Sequence, residues 1–395
     1  MPRRVLIVAG EASGDTHGAH LVSALRAQEP DVEVFGLGGN HMRAAGVDVV
    51  FDSKLVAVVG ASEVFSNLGV ILRVLRWIQA ALDTVKPDLV ILIDFPDFNF
   101  RVARAAKKAG VPVFYYISPQ IWAWRRGRAK FLAKTVEGLA VIFPFEADLY
   151  KQWGLPAEFV GHPVMDGPLG TPPDRAGART KLGLADGELA VALLPGSRNS
   201  EIHHHLDPML ASAAKIAAEL PGTRFLLPAA PTLDAAKLAE HIAATTAAKV
   251  RVVPASEVGS HDVMAACDAA VVKSGTSTLE AALAGVPFVI VYRVSGLTYT
   301  IGRILVKVPF VGMANLIAGK QIARELLQSE FTPENVAREV LLLLRDPARR
   351  AEALADLAAV RAKMGSGGAS HRAAEMAARV LAKRSPRPAM PSVMA

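Results

Sequence analysis

Two aspartates three residues apart follow an apolar run in VILIDFPDFNF, residues 90–100. Asp94 stands where a buried strand would give way to a loop. A carboxylate there can take a proton from an attacking hydroxyl that comes within hydrogen-bond reach. Asp97 has a structural explanation of its own, an Asx turn or, with neighbouring Asn99, a cap for the helix predicted over FRVARAAKKAG. Asp94 has less of one, because capping groups already lie downstream.

Two later loops have the opposite character. In KSGTSTLEAALAG, residues 273–285, a strand ends at Lys273, Ser274 and Gly275 make a turn, and Thr276 or Ser277 can cap a helix that Gly285 and Pro287 end. Free N–H groups at that helix start, with the positive end of the dipole, suit a phosphate. Glu280, one turn in, is placed to hold a sugar hydroxyl. A well-capped structural helix explains the same residues. In LLPGSRNSEI, residues 193–202, Gly196 and Ser197 allow close backbone approach, and Arg198 adds a permanent, multidentate charge. A surface arginine in an ordinary loop is the plainer alternative. Two anion loops in one half suggest a diphosphate.

Other chemistries are pruned by spacing. GEASGDTHG is not GxGxxG, and GMANLIAGKQ lacks both the spacing and the hydroxyl residue of a P-loop. No two aspartates are separated by a single residue, so a DxD metal clamp is absent and leaving-group charge falls to Arg198 and helix dipoles. His203, His204 and His205 are adjacent, which splays them around a helix and predicts a solvated helix start rather than a metal site. His17 and His20 have i,i+3 spacing but no acidic or cysteine partner in the same motif. No metal and no cofactor is expected.

Aromatic and basic residues mix in SPQIWAWRRGRAKFLAK, residues 118–134. Trp122 and Trp124 lie beside Arg125, Arg126, Arg128 and Lys130, a set suited to an interface or to a ligand with an apolar body and a phosphate head. EVFSNLGVILRVLRWIQAAL, residues 63–82, is an apolar helix interrupted by Arg73 and Arg76. It is either membrane-facing or acyl-binding, or a core helix whose arginines snorkel.

The elements that must position these residues alternate from the first turn of the chain. VLIVAG, DLVILID, VPVFYYIS and GLAVIFP are apolar on both faces, as buried parallel strands are, and helical stretches lie between them. Residues 163–188, rich in Pro, Gly and charge, suggest an interdomain connection. The pattern then restarts with ELAVALLPGSR, TRFLLPAA, KVRVVPA, CDAAVVKSG and VPFVIVYR. The expected fold is α/β, two Rossmann-like doubly wound domains facing a central cleft. The boundaries are 1–170 for the first domain and 171–365 for the second. A C-terminal helix over 366–384 packs on the first domain or exchanges with a partner subunit, and 385–395 is a disordered tail. Periodicity leaves both arrangements of that helix open, and with them a homodimer.

At 395 residues, two domains are the natural expectation. The single cysteine suggests a reducing compartment, and neither a secretory signal nor an 18-residue apolar run is present. Of the net charge of +7, most comes from residues 338–395, with 11 Lys/Arg against 5 Asp/Glu. Charge confined there does not suit a groove that tracks nucleic acid, so no nucleic acid is expected. It does suit an anionic membrane surface.

GEASGD (10–15), DFPDFN (94–99), SPQIWAWR (118–125), FPFE (143–146), GHP (161–163), LLPGSR (193–198), SGTSTLE (274–280) and ANLIAG (314–319) together resemble the lipid-A-disaccharide synthases, in the family's order and over residues 3–382. Phe95 and Gln120 depart from the family pattern. The resemblance implies the GT-B fold and an inverting glycosyl transfer. UDP-2,3-diacylglucosamine would be joined to 2,3-diacylglucosamine 1-phosphate, giving a β-1,6-linked disaccharide and UDP.

Carried over by motif, Asp94 acts in catalysis with Glu11 as its rival for the base, and Arg198 meets the UDP phosphates. Gly196, Ser197, Ser274, Gly275, Thr276, Glu280 and Asn315 complete the donor site. Asp15 serves the acceptor or holds its loop, and Trp122, Trp124, Arg125 and Arg126 meet acceptor or membrane. The expected location is cytoplasmic, on the inner face of the inner membrane. The rival readings are another GT-B enzyme, either the N-acetylglucosaminyltransferase of a lipid-linked muramyl peptide or a UDP-sugar 2-epimerase, and a non-catalytic nucleotide-lipid binding module.

Overall fold

The computed structural model describes residues 2–56, 61–121, 126–296, 299 and 308–383, with backbone alone at 61–67 and 126. Trp122, Trp124, Arg125 and the 385–395 tail lie outside those residues, and Arg126 is described only as the backbone start of a 3-10 turn.

Runs of Val, Ile and Leu without polar alternation need cover on both faces, which a parallel sheet between helices supplies. The strands β1 (Arg4–Ala9), β2 (Glu33–Gly38), β3 (Asp48–Asp52), β4 (Leu89–Ile93), β5 (Val113–Tyr116), β6 (Gly138–Val141) and β7 (Ala157–Phe159) form a parallel sheet in the order β3-β2-β1-β4-β5-β6-β7. A second parallel sheet, ordered β10-β9-β8-β11-β12-β13, contains β8 (Ala190–Leu194), β9 (Arg224–Ala229), β10 (Val250–Pro254), β11 (Ala269–Lys273), β12 (Phe288–Tyr292) and β13 (Glu325–Leu327). The chain divides into two compact units, the first ending at Asp166 and resuming at Ser366, the second running from Gly167 to Gly365.

In the first unit the helices are α1 (Ala12–Gln28), α2 (Asn40–Ala44), α3 (Ala61–Thr84), α4 (Pro96–Lys108), α5 (Ala129–Thr135) and α6 (Pro144–Gln152). The second holds α7 (Arg175–Lys181), α8 (Asn199–Glu219), α9 (Ala235–Thr245), α10 (Ser260–Ala266), α11 (Thr276–Ala284), α12 (Met313–Ala318), α13 (Pro333–Arg345) and α14 (Pro347–Met364), and α15 (Ala369–Ala382) returns to the first.

Strand order reverses at the β1/β4 pair in one sheet and at β8/β11 in the other. In an open α/β sheet the carboxyl ends at such a switch point border the ligand crevice. Register sets what stands there. Ala9 lies opposite Ile93, so Gly10 and Glu11 emerge beside Asp94. Leu194 lies opposite Val272, so the Gly196–Arg198 loop emerges beside Lys273–Thr276. The other ends of the two pairs share one anchor. The Asp88 carboxylate accepts the Arg4 N–H at 2.8 Å, and the Asp268 carboxylate accepts the Ala190 N–H at 3.0 Å.

One expectation changes. Residues 163–188 include α7, which the Arg175–Asp268 ion pair (2.8 Å) and the Arg179 bond to Ala266 O (3.0 Å) build into the second unit. Asp346 ends α13 and caps α14, and Gly365 and Gly368, both at positive φ, turn the chain into α15. Within this chain α15 packs on the first unit, where Ser370 Oγ lies 3.3 Å from Tyr116 OH, Arg379 pairs with Glu158 at 2.7 Å and Arg372 Nε donates to Val160 O.

Helix α3 divides its faces from residue 68 onward. Val74, Ile78 and Leu82 are buried and Trp77 meets Phe35 and Phe51 edge-on, whereas Leu68 (44% exposed) and Leu72 (38%) face outward with Arg73 and Arg76. Among the described residues no helix is long and apolar enough to cross a membrane.

Candidate active site

At the β1/β4 end the backbone itself is unusual. Asp94 and Phe95 both occupy the left-handed region, at φ 43° and 48°, which costs a non-glycine residue of order 1 kcal/mol or more. The surroundings hold the conformation in place. The Asp94 carbonyl accepts from Tyr115 OH at 2.6 Å and from Asn99 Nδ2 at 2.7 Å, and the Asp94 N–H donates to Tyr116 O. Phe95 lies against Gly10 so closely that a Cβ there would fall 2.2 Å from the ring. Any side chain at residue 10 would therefore have to displace the Phe95 ring, next to Asp94.

The Asp94 side chain sits in low-dielectric surroundings beside another carboxylate. Burial first, and the Glu11 charge second, push its pKa up from 3.8 to about 6, against a smaller opposing effect of the Phe95 N–H. Such a group is ionised at neutral pH yet more basic than an ordinary aspartate. Asp97 lies in the first turn of α4, whose N-cap residue is Phe95. Its carboxylate pairs with Arg128 at 2.8 Å, Pro96 starts the helix, and Asn99 bonds back to the carbonyls of Ile93 and Asp94.

The neighbouring SPQ turn is supported from beneath. Glu146, fully buried, accepts from Ser118 Oγ at 3.0 Å and from the Phe143 N–H at 3.1 Å, and Tyr150 OH donates to Pro119 O. The FPFE motif thus positions the SPQ turn. Asp15 has the same kind of role, since its carboxylate accepts the N–H groups of Gly39, His41 and Met42 at 2.7–3.0 Å and caps α2. It holds the start of α2 in place. His17 is pushed below the ordinary histidine range by burial and by His20, which favours a neutral ring over a charged pair.

The β8/β11 end opens into a pocket of ≈ 430 Å³ lined by Gly196, Ser197, Arg198, Lys273, Gly275, Thr276 and Glu280 among others. Helix α11 begins without a side-chain cap: Gly275 is its N-cap residue, not Thr276 or Ser277. Helix α8 likewise starts behind Arg198 with no side-chain cap. Two helix N-termini and an exposed arginine therefore border one pocket, an arrangement that suits an anion. Burial raises the Glu280 pKa, and the group lines the pocket, where it can hydrogen-bond a hydroxyl.

Two predicted donor residues stand elsewhere. Ser274 is buried with its hydroxyl on Val311 O (2.9 Å). Asn315 is fully buried, and its amide bonds to Ala323 O, Glu325 and the N–H groups of Ile322 and Ala323. Both shape the loops behind the pocket. His205 is not part of a solvated helix start: it is 1% exposed, with Nδ1 on Glu201 O and Nε2 accepting the Arg293 N–H.

Sequence reasoning missed Lys273 and Glu201 as pocket residues. They pair at 2.8 Å with both side chains mostly covered, 16% and 18% exposed. Both lay inside motifs already singled out, one at a strand end and the other three residues after Arg198. Facing ends of adjacent parallel strands were the available signal.

A family model described as lipid-A-disaccharide synthetase matches residues 5–380. Lipid-A-disaccharide synthase of Syntrophus aciditrophicus is 46% identical over 379 residues, covering 96% of this chain and 98% of that protein. Among solved structures, Acinetobacter baumannii MurG (TM-score 0.60, 18% identity, 96% of this chain and 100% of that one) shares the fold. So does a UDP-N-acetylglucosamine 2-epimerase from Listeria monocytogenes (TM-score 0.61, 15% identity, 94% and 95%), in keeping with a GT-B architecture.

Proposed function

The chain belongs to the lipid-A-disaccharide synthetase family and is a glycosyltransferase, and from that premise we propose its substrates and the roles of its residues. The donor is UDP-2,3-diacylglucosamine and the acceptor 2,3-diacylglucosamine 1-phosphate. The acceptor's 6-hydroxyl attacks the anomeric carbon, the bond from that carbon to the diphosphate breaks with its electron pair leaving on UDP, and a β-1,6 linkage forms with inversion. Asp94 receives the hydroxyl proton, so charge is conserved over the step. Arg198 and the start of α11 bind the diphosphate and stabilise the charge it gains. Glu280 holds a hydroxyl of the donor.

The observation that carries this reading is Asp94 itself, a strand-end carboxylate held in a strained conformation and tuned to about 6. Strain persists where the surroundings over-determine it, and such places cluster at working sites. Glu11 assists by raising the basicity of Asp94. The first unit takes the acceptor and the second the donor in this reading. Leu68 and Leu72, exposed on α3 beside Arg73 and Arg76, suit contact with an anionic membrane on its cytoplasmic face.

The test is UDP release from UDP-2,3-diacylglucosamine in EDTA, with and without the acceptor. Release that depends on the acceptor and collapses in Asp94→Asn supports the proposal. Conversion of the UDP-sugar without acceptor would replace it with an epimerase, and UDP binding without turnover would replace it with a binding module. Sedimentation with anionic vesicles at low salt tests the membrane reading, which fails if the protein stays in the supernatant.

A further inference from the structure

The Glu201 carboxylate occupies the position a phosphate would want. One oxygen accepts the Ser197 N–H of the glycine loop at 2.9 Å, and the other accepts from Lys273 Nζ at 2.8 Å. It sits so tightly over the loop that a Cβ on Gly196, whose φ is 127°, would fall 2.4 Å from Glu201 Oε2. Burial alone would raise the Glu201 pKa. The Lys273 ammonium, the Ser197 N–H and the Arg198 charge outweigh burial and hold it low, so the group is an anion at neutral pH. A loop N–H, a lysine and a nearby arginine are the donors with which proteins hold a phosphate group.

Lys273 in turn stands at the end of β11, with Nζ 3.4 Å from where a Cβ on Gly275 would lie, at the start of α11. It therefore joins the two loops that border the pocket. We propose that Lys273 is a diphosphate-binding residue of the donor pocket, and that Glu201 is a built-in anion which partners it until the nucleotide diphosphate arrives and takes its place. The inference rests on reading the β8/β11 end as the donor's diphosphate site. It adds to that reading a second cation and a competing internal anion, and it explains how a half-buried lysine remains neutralised in the free protein. A cation left uncompensated under such cover would be costly.

A structural salt bridge and an exchanged one differ in the sign of a single substitution. Isothermal titration with UDP and with uridine on the intact protein reads the difference. Lys273→Met weakens UDP by ~10–100-fold, the range of a lost charge-assisted hydrogen bond, and leaves uridine within about twofold. Glu201→Gln keeps an acceptor for the Ser197 N–H but removes the competing charge, so UDP binds as tightly as to the intact protein or up to ~10-fold tighter. Should Lys273→Met fold poorly with Glu201 left unpaired, the neutral Glu201→Gln/Lys273→Met protein replaces it and shows the same selective loss of UDP.

Weaker UDP binding in Glu201→Gln, or a parallel fall of uridine in either lysine variant, makes the pair structural and overturns the inference. Loss of UDP in Arg198→Met with none in Lys273→Met overturns it while keeping the donor site. No UDP binding by the intact protein overturns both.

Discussion

The two units begin alike and end differently. Each places an aspartate ahead of its inner strand, Asp88 before β4 and Asp268 before β11, and each aspartate accepts the first N–H of the neighbouring strand. At the carboxyl ends the chemistry separates. One switch point presents two carboxylates, Asp94 and Glu11, with Asp94 raised by burial and repulsion. The other presents Arg198, Lys273 and two uncapped helix starts. In the proposed reading the same topology serves a proton acceptor in one unit and an anion cradle in the other. The strand frame dictates where side chains emerge and leaves what they do to the loop residues.

The sharpest way to break this comparison is to neutralise Asp94. Asp94→Asn keeps the size and the loop but removes the base, and kcat for acceptor-dependent UDP release should fall by ~10³-fold, within the range for general bases. Stability should move the other way. A folded pKa above the unfolded one means that the native state binds the proton more tightly, so the carboxyl favours folding below pH 3.8 and loses that advantage as pH rises through about 6. With the penalty for ionisation removed, the variant should melt higher at pH 8, by at most ~3 kcal/mol at 1.36 kcal/mol per pKa unit, and the gain should vanish near pH 4. Equal melting of the two proteins at pH 8 would mean that Asp94 is not destabilised by its site.

The basic end should respond differently. Arg198→Met should lower kcat/KM by ~10²-fold through the lost charge at the leaving group. Its pH profile should keep the acid limb of the intact protein, since the burial and the Glu11 charge that raise Asp94 are unchanged. An acid limb displaced in this variant would deny the separation of roles between the units.

How far the sequence alone reaches follows the same division. Short Val- and Ile-rich apolar runs such as β4 and β8, recurring between helical stretches, point to strands covered on both faces, so the fold was legible. Asp94 stands out in the sequence because no local capping role explains it. What Asp15, Ser274 and Asn315 hold could not be read from the sequence, because a polar residue in a glycine loop looks the same whether it faces a ligand or the protein. Their partners, Gly39, Val311 and Glu325, lie 24, 37 and 10 residues away, and only the folded chain brings them within reach. Lys273 and Glu201, 72 residues apart, become a pair only when β8 and β11 become neighbours. The left-handed backbone at Phe95 has no signature in residue type, although aspartate, as at Asp94, enters that region more readily than most residues.

A subtler change tests the acid pair. Glu11→Gln removes the repulsion but not the burial that raises Asp94. The acid limb of the kcat profile should move to lower pH, yet stop short of an ordinary aspartate because burial is the larger cause. A limb that does not move would detach Glu11 from Asp94, and loss of activity at every pH would make Glu11 the base instead.

The smallest effect is expected from the support of the strained peptide. Tyr115→Phe removes the phenol that donates to the Asp94 carbonyl at 2.6 Å, while Asn99 Nδ2, at 2.7 Å, still serves that oxygen. With one donor remaining, the carbonyl is not orphaned, and the loss should be near a single net hydrogen bond, about 1 kcal/mol of stability. Activity should fall only a few-fold, through looser placement of the carboxylate, and it should fall in kcat rather than in the affinity for UDP. A change in UDP affinity would show that the strained loop of the first unit and the anion pocket of the second are not independent, and the contrast drawn between them would then describe one coupled site.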